Sequence, residues 1–354
     1  MEGRAVWMHP ESQFSADPDR GKEEVRLFVE RIADANFNLI FPWVRSEYLA
    51  ALTDEDYQKK VPIARWDALG ELIKEAHEKG LEVHLWYSFT HYKSASSPDF
   101  NPKHGGNPGW AARRIDEIIP DKKTGKPVPR RMADACPLHS EARTWQLNLI
   151  TKMLDRYLLL GGIHIEEPGY GYGGNCFCEL CLQLFKLLYG FDQMEKVDGV
   201  EAEDLKCVGT TDFIRRLRET LLKRNPKLVL STNGGYSWRW DRRLGRDWGR
   251  WARLGWLDFY AAQIYTTNLD EFRTRCKGIV SNLAHDCPVY IGIAAEWSGG
   301  KNTVETVVKQ VDVARQEGAK GIAVFHGKAL ANEYLMALKA GPFKERTMLP
   351  VPQR

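Results

Sequence analysis

The stretch Gly162-Ile163-His164-Ile165-Glu166-Glu167 decides how this chain is expected to fold. It is a short β-branched run, and residues 140–160, which have a helical period, lie directly before it. Gly161 separates the two, and glycine is a residue that commonly ends a helix. A strand that is covered on both faces has this kind of apolar composition. The pattern therefore predicts a helix that leads into a buried parallel strand.

The same pattern recurs along the chain, with apolar runs that alternate with amphipathic segments of helical period. The predicted strands are residues 4–9, 38–45, 81–89, 162–167, 227–233, 257–265, 288–296 and 321–326. The predicted helices include residues 22–34, 66–79, 140–160, 211–224, 269–284 and 303–317. Eight such units predict an α/β fold, a single (β/α)8 TIM barrel over residues 1–345 with a C-terminal tail over 346–354. An open doubly wound sheet is the alternative, but it more often has a glycine-rich phosphate loop after its first strand.

Two connections are much longer than the few residues that usually join such elements. Residues 92–136 follow the third predicted strand, and residues 169–209 follow the fourth and contain three of the closely spaced cysteines. Both leave the barrel at the strand ends where barrel enzymes place their active sites. We therefore expect long loops there, after strands 3 and 4.

Charge and motifs exclude several classes of function. With 50 Lys+Arg against 47 Asp+Glu, the net charge is only +3, which does not indicate a nucleic-acid or membrane-surface partner. No uninterrupted apolar window is long enough to span a membrane. The first residues lack a leader pattern, so the sequence as given predicts a cytoplasmic protein, or a secreted or periplasmic one if a signal peptide was removed. Walker, dinucleotide, Gly-x-Ser-x-Gly and His-Glu-x-x-His motifs are absent, and the oligomeric state stays open.

Carboxylates at two strand ends are the strongest sign of chemistry. If Ile163 and Ile165 face the helices, His164 and Glu166 face the barrel interior and Glu167 stands at the exit of the strand. The same alternation in the seventh strand points Glu296 inward. Two carboxylates over a cleft lined by aromatic rings are what glycoside hydrolysis requires, since one protonates the leaving oxygen while the other attacks or activates water.

Further polar and aromatic residues near the strand ends are candidates for binding a carbohydrate, because rings stack on sugar C–H faces and polar groups bond hydroxyls. The predicted substrate-binding residues are Trp7, His9, Arg45, His84, Trp86, His164, Asn233, Gln263, Tyr265 and Trp297. His84 by itself is more typical of a hydrogen-bonded core histidine than of a catalytic one.

Several of these segments together resemble the glycosyl-hydrolase-like family 10 barrels. They are Arg4-x-Val6-Trp7, Asn38 through Val44-Arg45, Gly80-Leu81-x-Val83-His84-x-Trp86, Gly162-Ile163-His164-Ile165, and Leu257-Asp258 through Gln263-Ile264-Tyr265. The resemblance spans most of the chain and implies a carbohydrate-active barrel. Those proteins commonly have an Asp where Glu166 stands, so the acid is kept although the residue differs.

A second, local resemblance concerns the cysteines. The segment Cys176-Phe177-Cys178-Glu179-Leu180-Cys181 is similar to the Cys-x-Cys-x-x-Cys segment of family 42 β-galactosidases, which holds a structural zinc together with an upstream cysteine. The resemblance implies that Cys136 is the fourth ligand of a structural Zn²⁺ bound by Cys136, Cys176, Cys178 and Cys181. Four thiolates close a tetrahedral shell, so such a site has no open position for catalysis. Disulfides and metal-free thiols are the alternatives.

Comparison with family 42 also implies roles for two carboxylates, with Glu167 as acid/base and Glu296 as nucleophile. Those enzymes have Asn directly before the acid/base, whereas this chain has Glu166, so the choice between Glu166 and Glu167 stays open. The predicted function is a retaining glycoside hydrolase that acts on an oligo- or polysaccharide. The alternatives are a carbohydrate-binding barrel without catalysis, and a substrate-assisted hydrolase of N-acetylated sugars in which a strand-4 acid works with Tyr265.

The segment after the fifth strand interleaves tryptophans and arginines, from Trp238-Arg239-Trp240 onward to Trp251. Such interleaving can bind nucleic acid, since cations follow a phosphate backbone and rings stack on bases. It also suits a helix whose tryptophans pack on the barrel, or a sugar subsite that favours anionic sugars. The balanced overall charge argues against nucleic acid.

Overall fold

Eight parallel strands close into a barrel in the computed structural model, which describes residues 1–89, 97–115, 125, 134–170, 175–195 and 199–350. The barrel strands are β1 (Gly3–Met8), β2 (Leu39–Val44), β3 (Glu82–Tyr87), β4 (Gly162–Ile165), β5 (Val229–Gly234), β6 (Phe259–Gln263), β7 (Val289–Ala294) and β10 (Gly321–Phe325). Strands β8 (Glu296–Trp297) and β9 (Gly300–Lys301) form a separate antiparallel hairpin after β7. Every predicted strand is confirmed with its ends shifted by at most two residues, and the open-sheet alternative is wrong because β1 pairs with both β2 and β10.

Helices cover the outside of the barrel. In the described part of the chain they are α1 (Pro10–Gln13), α2 (Pro18–Asp34), α3 (Glu47–Ala51), α4 (Glu55–Gln58), α5 (Ala68–Glu78), α6 (Ser140–Arg156), α7 (Glu179–Tyr189), α8 (Val200–Arg224), α9 (Trp238–Arg242), α10 (Trp248–Arg253), α11 (Leu269–Leu283), α12 (Val304–Gln316) and α13 (Asn332–Ala340). The six predicted helices are all present.

The second long connection is more ordered than a loop. It contains α7, and α8 begins at Val200 rather than near residue 211. Cys181 and Phe185 lie one helical turn apart on α7, and both are buried against the cysteine-rich cluster. Of the first connection, short 3₁₀ turns at Pro98–Phe100, Pro102–His104 and Pro108–Trp110 are described, and much of the rest lies outside the described residues.

Side-chain alternation along the strands divides the core into two layers. Ile163 and Ile165 pack in the layer between strands and helices, and His164 between them points into the barrel, as predicted. Inside the barrel, rings stack on one another: Phe41 lies on His164 with ring centroids 4.1 Å apart, and Phe259 lies on Tyr290 at 4.2 Å. The barrel is therefore filled beneath its carboxyl end, and a ligand must bind above this aromatic floor.

The predicted tail contacts the opposite end of the barrel over its described part, residues 346–350. Asn38 Nδ2 donates to the Thr347 carbonyl at 3.2 Å, and the Glu2 amide donates to the Met348 carbonyl at 3.2 Å. Among the described residues, no helix combines the length and the apolar character needed to cross a membrane.

Candidate active site

The end of β4 places two adjacent glutamates above the barrel floor. The Glu166 amide still donates to the Tyr87 carbonyl at 2.9 Å, so Glu166 continues the strand. Glu167 then takes a left-handed backbone with φ of 34°, and its amide donates to Asn233 Oδ1 at 3.0 Å. Because this turn follows directly on the strand, the two carboxyl groups leave the backbone in different directions and meet different partners. Both side chains are buried.

Neutral hydrogen-bond donors surround Glu166. Trp86 Nε1 and Asn233 Nδ2 both donate to Glu166 Oε2, at 2.5 Å and 2.6 Å. Burial, and then the negative charge of Glu167, raise the pKa of Glu166 to about 8, although the two donors and Arg246 act in the opposite direction. The carboxyl group of Glu166 is therefore mostly protonated at neutral pH, which is the state that a general acid needs.

Glu167 instead has a cation beside it. Arg246 Nη2 lies 2.8 Å from Glu167 Oε2, and Arg246 Nη1 lies 3.3 Å from Asp241 Oδ1. Trp248 Nε1 donates to the other oxygen of Asp241 at 2.8 Å, and burial raises the pKa of Asp241 against the pull of Arg246. The site thus holds a neutral acid and an ion-paired carboxylate side by side. Sequence reasoning missed Arg246, although it lies in the arginine- and tryptophan-rich segment that was singled out.

Aromatic side chains from several strand ends lie close together beside these acids. Trp43 meets Trp86 edge-on with centroids 4.7 Å apart, and His9 lies 5.1 Å from Trp86. Burial, and then the charge of His326, lower the pKa of His9 to about 4, so His9 is neutral at pH 7. Trp43 and His326 were not predicted as site residues, although both lie at the ends of predicted strands.

The sixth and eighth barrel strands bring a second group of rings to the same end. Tyr265 stacks on Phe325 at 5.6 Å and lies 6.3 Å from Trp297. Gln263, Tyr265 and Trp297 are each partly exposed, as a substrate-binding role requires. Phe325 was not predicted.

Three predicted substrate-binding residues are corrected by the structure, because Trp7, His84 and His164 have no exposed surface. Trp7 Nε1 donates to His164 Nε2 at 3.1 Å, and His164 Nδ1 bonds Ser231 Oγ at 2.8 Å. His84 lies one layer lower and bonds Glu82 Oε2 at 3.1 Å. These side chains do face inward, but they form the barrel floor and its support. Alternation predicts which side a residue faces, whereas depth along the barrel axis depends on the stagger of the strands.

Other predicted site residues bond to side chains of the protein itself. Trp86 and Asn233 are buried and hold Glu166. Arg45 forms a bidentate ion pair with Glu11, in which Arg45 Nε lies 2.9 Å from Glu11 Oε1. The prediction that Glu296 faces inward as part of the seventh strand is wrong, because β7 ends at Ala294 and Glu296 lies in the following hairpin. Its side chain there is 56% exposed and lies 4.0 Å from Lys301 Nζ. Its charge also acts on His326, whose pKa burial lowers and Glu296 partly restores.

The four predicted zinc ligands come together. The Sγ atoms of Cys136, Cys176, Cys178 and Cys181 all lie within 4.8 Å of one another, and the pairs Cys136–Cys181 and Cys178–Cys181 lie 3.5 Å apart. A tetrahedral ion with Zn–S bonds of about 2.3 Å needs sulfur atoms about 3.8 Å apart, so the cluster has nearly the required size. The amides of Arg113 and Cys178 donate to Cys176 Sγ at 3.3 Å and 3.4 Å. Four buried cysteines are thus close enough to bind one metal ion.

Hydrogen bonds among these crowded sulfur atoms shift their pKa values in opposite directions. Those with Cys176 and Cys178 raise the pKa of Cys136 well above its ordinary value, whereas those with Cys136 and Cys176 lower the pKa of Cys178. All seven cysteines are free thiols, so the disulfide alternative is wrong, and the three outside the cluster are buried as predicted: Cys207, Cys276 and Cys287.

Comparison with known proteins agrees with this architecture. Residues 2–296 match the family described as glycosyl hydrolase-like 10. The fold is similar to the PgaB (BpsB) glycoside hydrolase domain from Bordetella bronchiseptica, at 15% identity and a TM-score of 0.68, covering 94% of this chain and 96% of that one. It is also similar to alpha-L-fucosidase isoenzyme 2 from Paenibacillus thiaminolyticus, at 16% identity and a TM-score of 0.63, covering 96% of this chain and 48% of that one.

A third similar structure is a beta-galactosidase from Bacillus circulans sp. alkalophilus, at 13% identity and a TM-score of 0.60, covering 92% of this chain and 50% of that one. No curated protein matches the sequence significantly. At these identities the structural neighbours show the fold alone. The family match over residues 2–296 goes further, and the chain belongs to the glycosyl hydrolase-like 10 family.

Proposed function

We propose that the protein is a glycoside hydrolase that cleaves an oligo- or polysaccharide, with Glu166 as the general acid. The observation that carries this proposal is the difference in surroundings between Glu166 and Glu167 at the end of β4. Glu166, with only uncharged donors in contact and a pKa of about 8, holds a proton at neutral pH, while Glu167 is ion-paired with Arg246. Paired carboxyl groups in unlike environments are how glycosidases assign the acid. This choice favours Glu166 over Glu167, the residue that the family 42 resemblance implied.

The acid protonates the glycosidic oxygen as the bond to the sugar breaks. Asn233 and Trp86 both donate to one oxygen of Glu166, which leaves its other oxygen to carry the proton. As the proton leaves, these two donors stabilise the new carboxylate, and Arg246 lies nearby as the compensating cation. The rings of Trp43, Tyr265 and Trp297 supply flat surfaces on which a sugar can stack.

Glu296 is the proposed nucleophile of a retaining mechanism. It lies just beyond β7, and its exposed side chain lies on the hairpin that carries Trp297. In a retaining enzyme its carboxylate would be about 5 Å from the acid when substrate is bound. A second candidate is substrate assistance, in which the acetamido group of an N-acetylated sugar attacks and Tyr265 positions it. The position of Tyr265 between Phe325 and Trp297 favours this candidate.

Leaving-group dependence tests the role of Glu166. We expect Glu166→Gln to slow the release of reducing ends from a polysaccharide at least about 100-fold, since general acid catalysis contributes about that much or more. The same variant should keep far more of its activity on a dinitrophenyl glycoside, because that leaving group needs no proton. An equal loss on both substrates would contradict the acid role. Glu167→Gln is the matched comparison, and a leaving-group effect at Glu167 instead would reassign the acid.

Azide rescue and substrate range test which group attacks the sugar. If Glu296 is the nucleophile, Glu296→Ala is inactive and azide restores turnover with formation of a glycosyl azide. If the substrate assists, Glu296→Ala stays active, Tyr265→Phe does not, and only N-acetylated sugars are cleaved. Saturable binding of oligosaccharides by the unaltered protein, with no new reducing ends after days of incubation, would identify a carbohydrate-binding barrel without catalysis and would refute the proposal.

The proposal includes a structural Zn²⁺ bound by Cys136, Cys176, Cys178 and Cys181, which is supported by the cluster's size and burial. The ion would join the residues before α6 to the start of α7, and so hold together the two long connections that border the active site. Its chemistry would be structural, because four thiolates leave no position for substrate. Metal analysis of the purified protein should find one zinc per chain, and a metal-free, fully folded protein would refute this part.

A further inference from the structure

Exposed aromatic rings outside the active site are confined to one short segment. Among the residues that the structure describes, the only exposed aromatic side chains are Tyr236, Trp238 and Trp240, with relative exposures of 38%, 41% and 57%. All three follow β5, within the segment of alternating tryptophan and arginine. The sequence left this segment unassigned between three interpretations. Its tertiary position separates them, because Trp248 and Trp251 are buried packing residues whereas these three rings face solvent.

Two of these rings form one wall of a groove on the flank of the barrel. The groove has a volume of about 550 Å³ and runs between α10 and α11. Its lining includes Tyr236 and Trp238 together with Arg253, Gly278 and Asn282. Trp240 does not line it. Trp248 lines the groove and also donates to Asp241, but neither glutamate of the strand-end site and none of its stacking rings lines the groove. The groove is therefore a separate place for a ligand.

The rings are held in place without a ligand. Trp238 Nε1 donates to Asp247 Oδ1 at 2.8 Å. The indole also packs closely on Gly249, because a Cβ added to Gly249 would lie only 3.0 Å from Trp238 Cδ1. The guanidinium of Arg275 lies 4.3 Å from the centroid of the Tyr236 ring. Rigid rings lose little entropy when a flat ligand stacks on them, which is why such side chains contribute strongly to binding.

The charge of the groove is positive. Its lining includes Arg239, Arg253 and one acid, Asp286, together with Arg275, whose charge is paired with Glu271. Arg239 and Arg253 form no ion pair with any residue in the described ranges, and both are exposed. Guanidinium groups bind carboxylates through two parallel hydrogen bonds, so unpaired arginines beside stacking rings suit a sugar that carries an acidic group.

We propose that this groove is a second carbohydrate-binding site, which holds a segment of an acidic polysaccharide on the flank of the barrel. The ligand class rests on the proposed function, since membership of a glycosyl-hydrolase-like family is what favours a sugar chain over single-stranded nucleic acid. Binding at the groove does not require hydrolysis. It would raise the residence time of a long substrate on the protein while the strand-end site acts on another part of the chain.

Gly278 allows a sharp test, because a Cβ at this position would have no atom within 4 Å. Gly278→Trp should fill the groove without disturbing the core, and Gly278→Ala is the matched control that leaves it open. Binding is measured by affinity electrophoresis with polygalacturonate and with hyaluronan. Fully methyl-esterified polygalacturonate serves as the uncharged counterpart, and a single-stranded oligothymidylate serves as the nucleic-acid arm. All proteins also have the Glu166→Gln substitution, so that the result does not depend on catalysis.

We expect retardation by at least one acidic polysaccharide, weakened about tenfold or more by Gly278→Trp and by Tyr236→Ala, and unchanged by Gly278→Ala. Arg253→Gln should weaken binding, whereas the exposed Arg65→Gln and Trp240→Ala, which lie outside the groove, should not. Equal binding to the methyl ester overturns the acidic specificity. If Gly278→Trp leaves binding intact, the groove is not the binding site. If only the oligothymidylate binds in a groove-dependent way, the ligand is a nucleic acid and not a sugar chain. Absence of binding to both acidic polysaccharides overturns the whole proposal. These outcomes are independent of whether the strand-end site hydrolyses anything.

Discussion

Replacing Glu166 by Gln should stabilise the folded protein at neutral and alkaline pH. The gain in the free energy of unfolding should grow as the pH rises. Burial and the neighbouring Glu167 raise the pKa of Glu166 from its ordinary 4.5 to about 8. Because the folded state binds this proton more tightly than the unfolded chain does, the free energy of unfolding falls as pH rises from about 4.5 to about 8. The full difference corresponds to about 5 kcal/mol.

Gln is a close replica of the protonated acid at this position. Its amide oxygen can accept from both Trp86 Nε1 and Asn233 Nδ2, as Glu166 Oε2 does, and its NH₂ group takes the place of the acid hydroxyl. Near pH 5 the parent and Glu166→Gln should therefore have similar stabilities. Near pH 9 the variant should be more stable, and between these two pH values its advantage should grow by about 4 kcal/mol.

Urea unfolding followed by tryptophan fluorescence measures this difference at each pH. Glu296→Gln is the matched control, because its side chain is 56% exposed and water solvates it in the folded state. A gain of the same size and pH dependence in Glu296→Gln would show that the effect does not come from the burial of Glu166. A stability difference between the parent and Glu166→Gln that does not change with pH would refute the raised pKa, and with it the physical basis for naming Glu166 the acid.

Three other outcomes follow from single features of the structure. Arg246→Met removes the cation that faces two buried carboxylates and should cost about 3–5 kcal/mol in urea unfolding, and a cost below about 1 kcal/mol would contradict the ion-pair geometry. Chelation of the metal, or Cys136→Ser, should lower the thermal midpoint by several degrees in calorimetry, and identical midpoints with and without chelator would contradict a structural ion. Two helix glycines should respond in opposite directions to Ala in thermal unfolding. Gly278→Ala should stabilise by about 1 kcal/mol. Gly209→Ala should destabilise by about 1–3 kcal/mol because its Cβ would lie 2.3 Å from the Pro137 carbonyl oxygen, and a shared sign would refute this packing argument.

Much of the fold could be predicted from local pattern. The run from Gly162 to Ile165 is β-branched, covered on both faces and flanked by a helix stop, and those properties need no knowledge of the rest of the chain. The helix α7 was missed because its pattern is not that of a helix packed on the barrel. Its buried residues, Cys181 and Phe185, pack in the cysteine cluster rather than on the barrel, and Leu187 and Leu188 are exposed, so its apolar pattern is short and irregular.

Part of the site could also be predicted, because strand alternation and the catalytic end of a barrel are general rules. Glu166 was found in this way, and so was the inward direction of His164. The depth of His164 was not found, since Trp7 Nε1 bonds His164 Nε2 inside the filled barrel. Arg246 was not found because its partners Glu167 and Asp241 are far from each other in sequence, and only the packing of the segment after β5 brings one cation between them.

The sequence by itself determined the eight strand and helix units and the inward and outward alternation of side chains, because both depend on residue type and spacing along the chain. It also contained the cysteine segment whose resemblance to family 42 implied the four cysteines that cluster. Only the tertiary structure decided that Glu166 is buried among neutral donors while Glu167 has an arginine beside it, and that Trp238 lines a flank groove rather than the active site. The pKa of a carboxyl group depends on every charge and dipole that folding brings near it, and residues 67 positions apart, such as Glu166 and Asn233, meet only when the barrel closes.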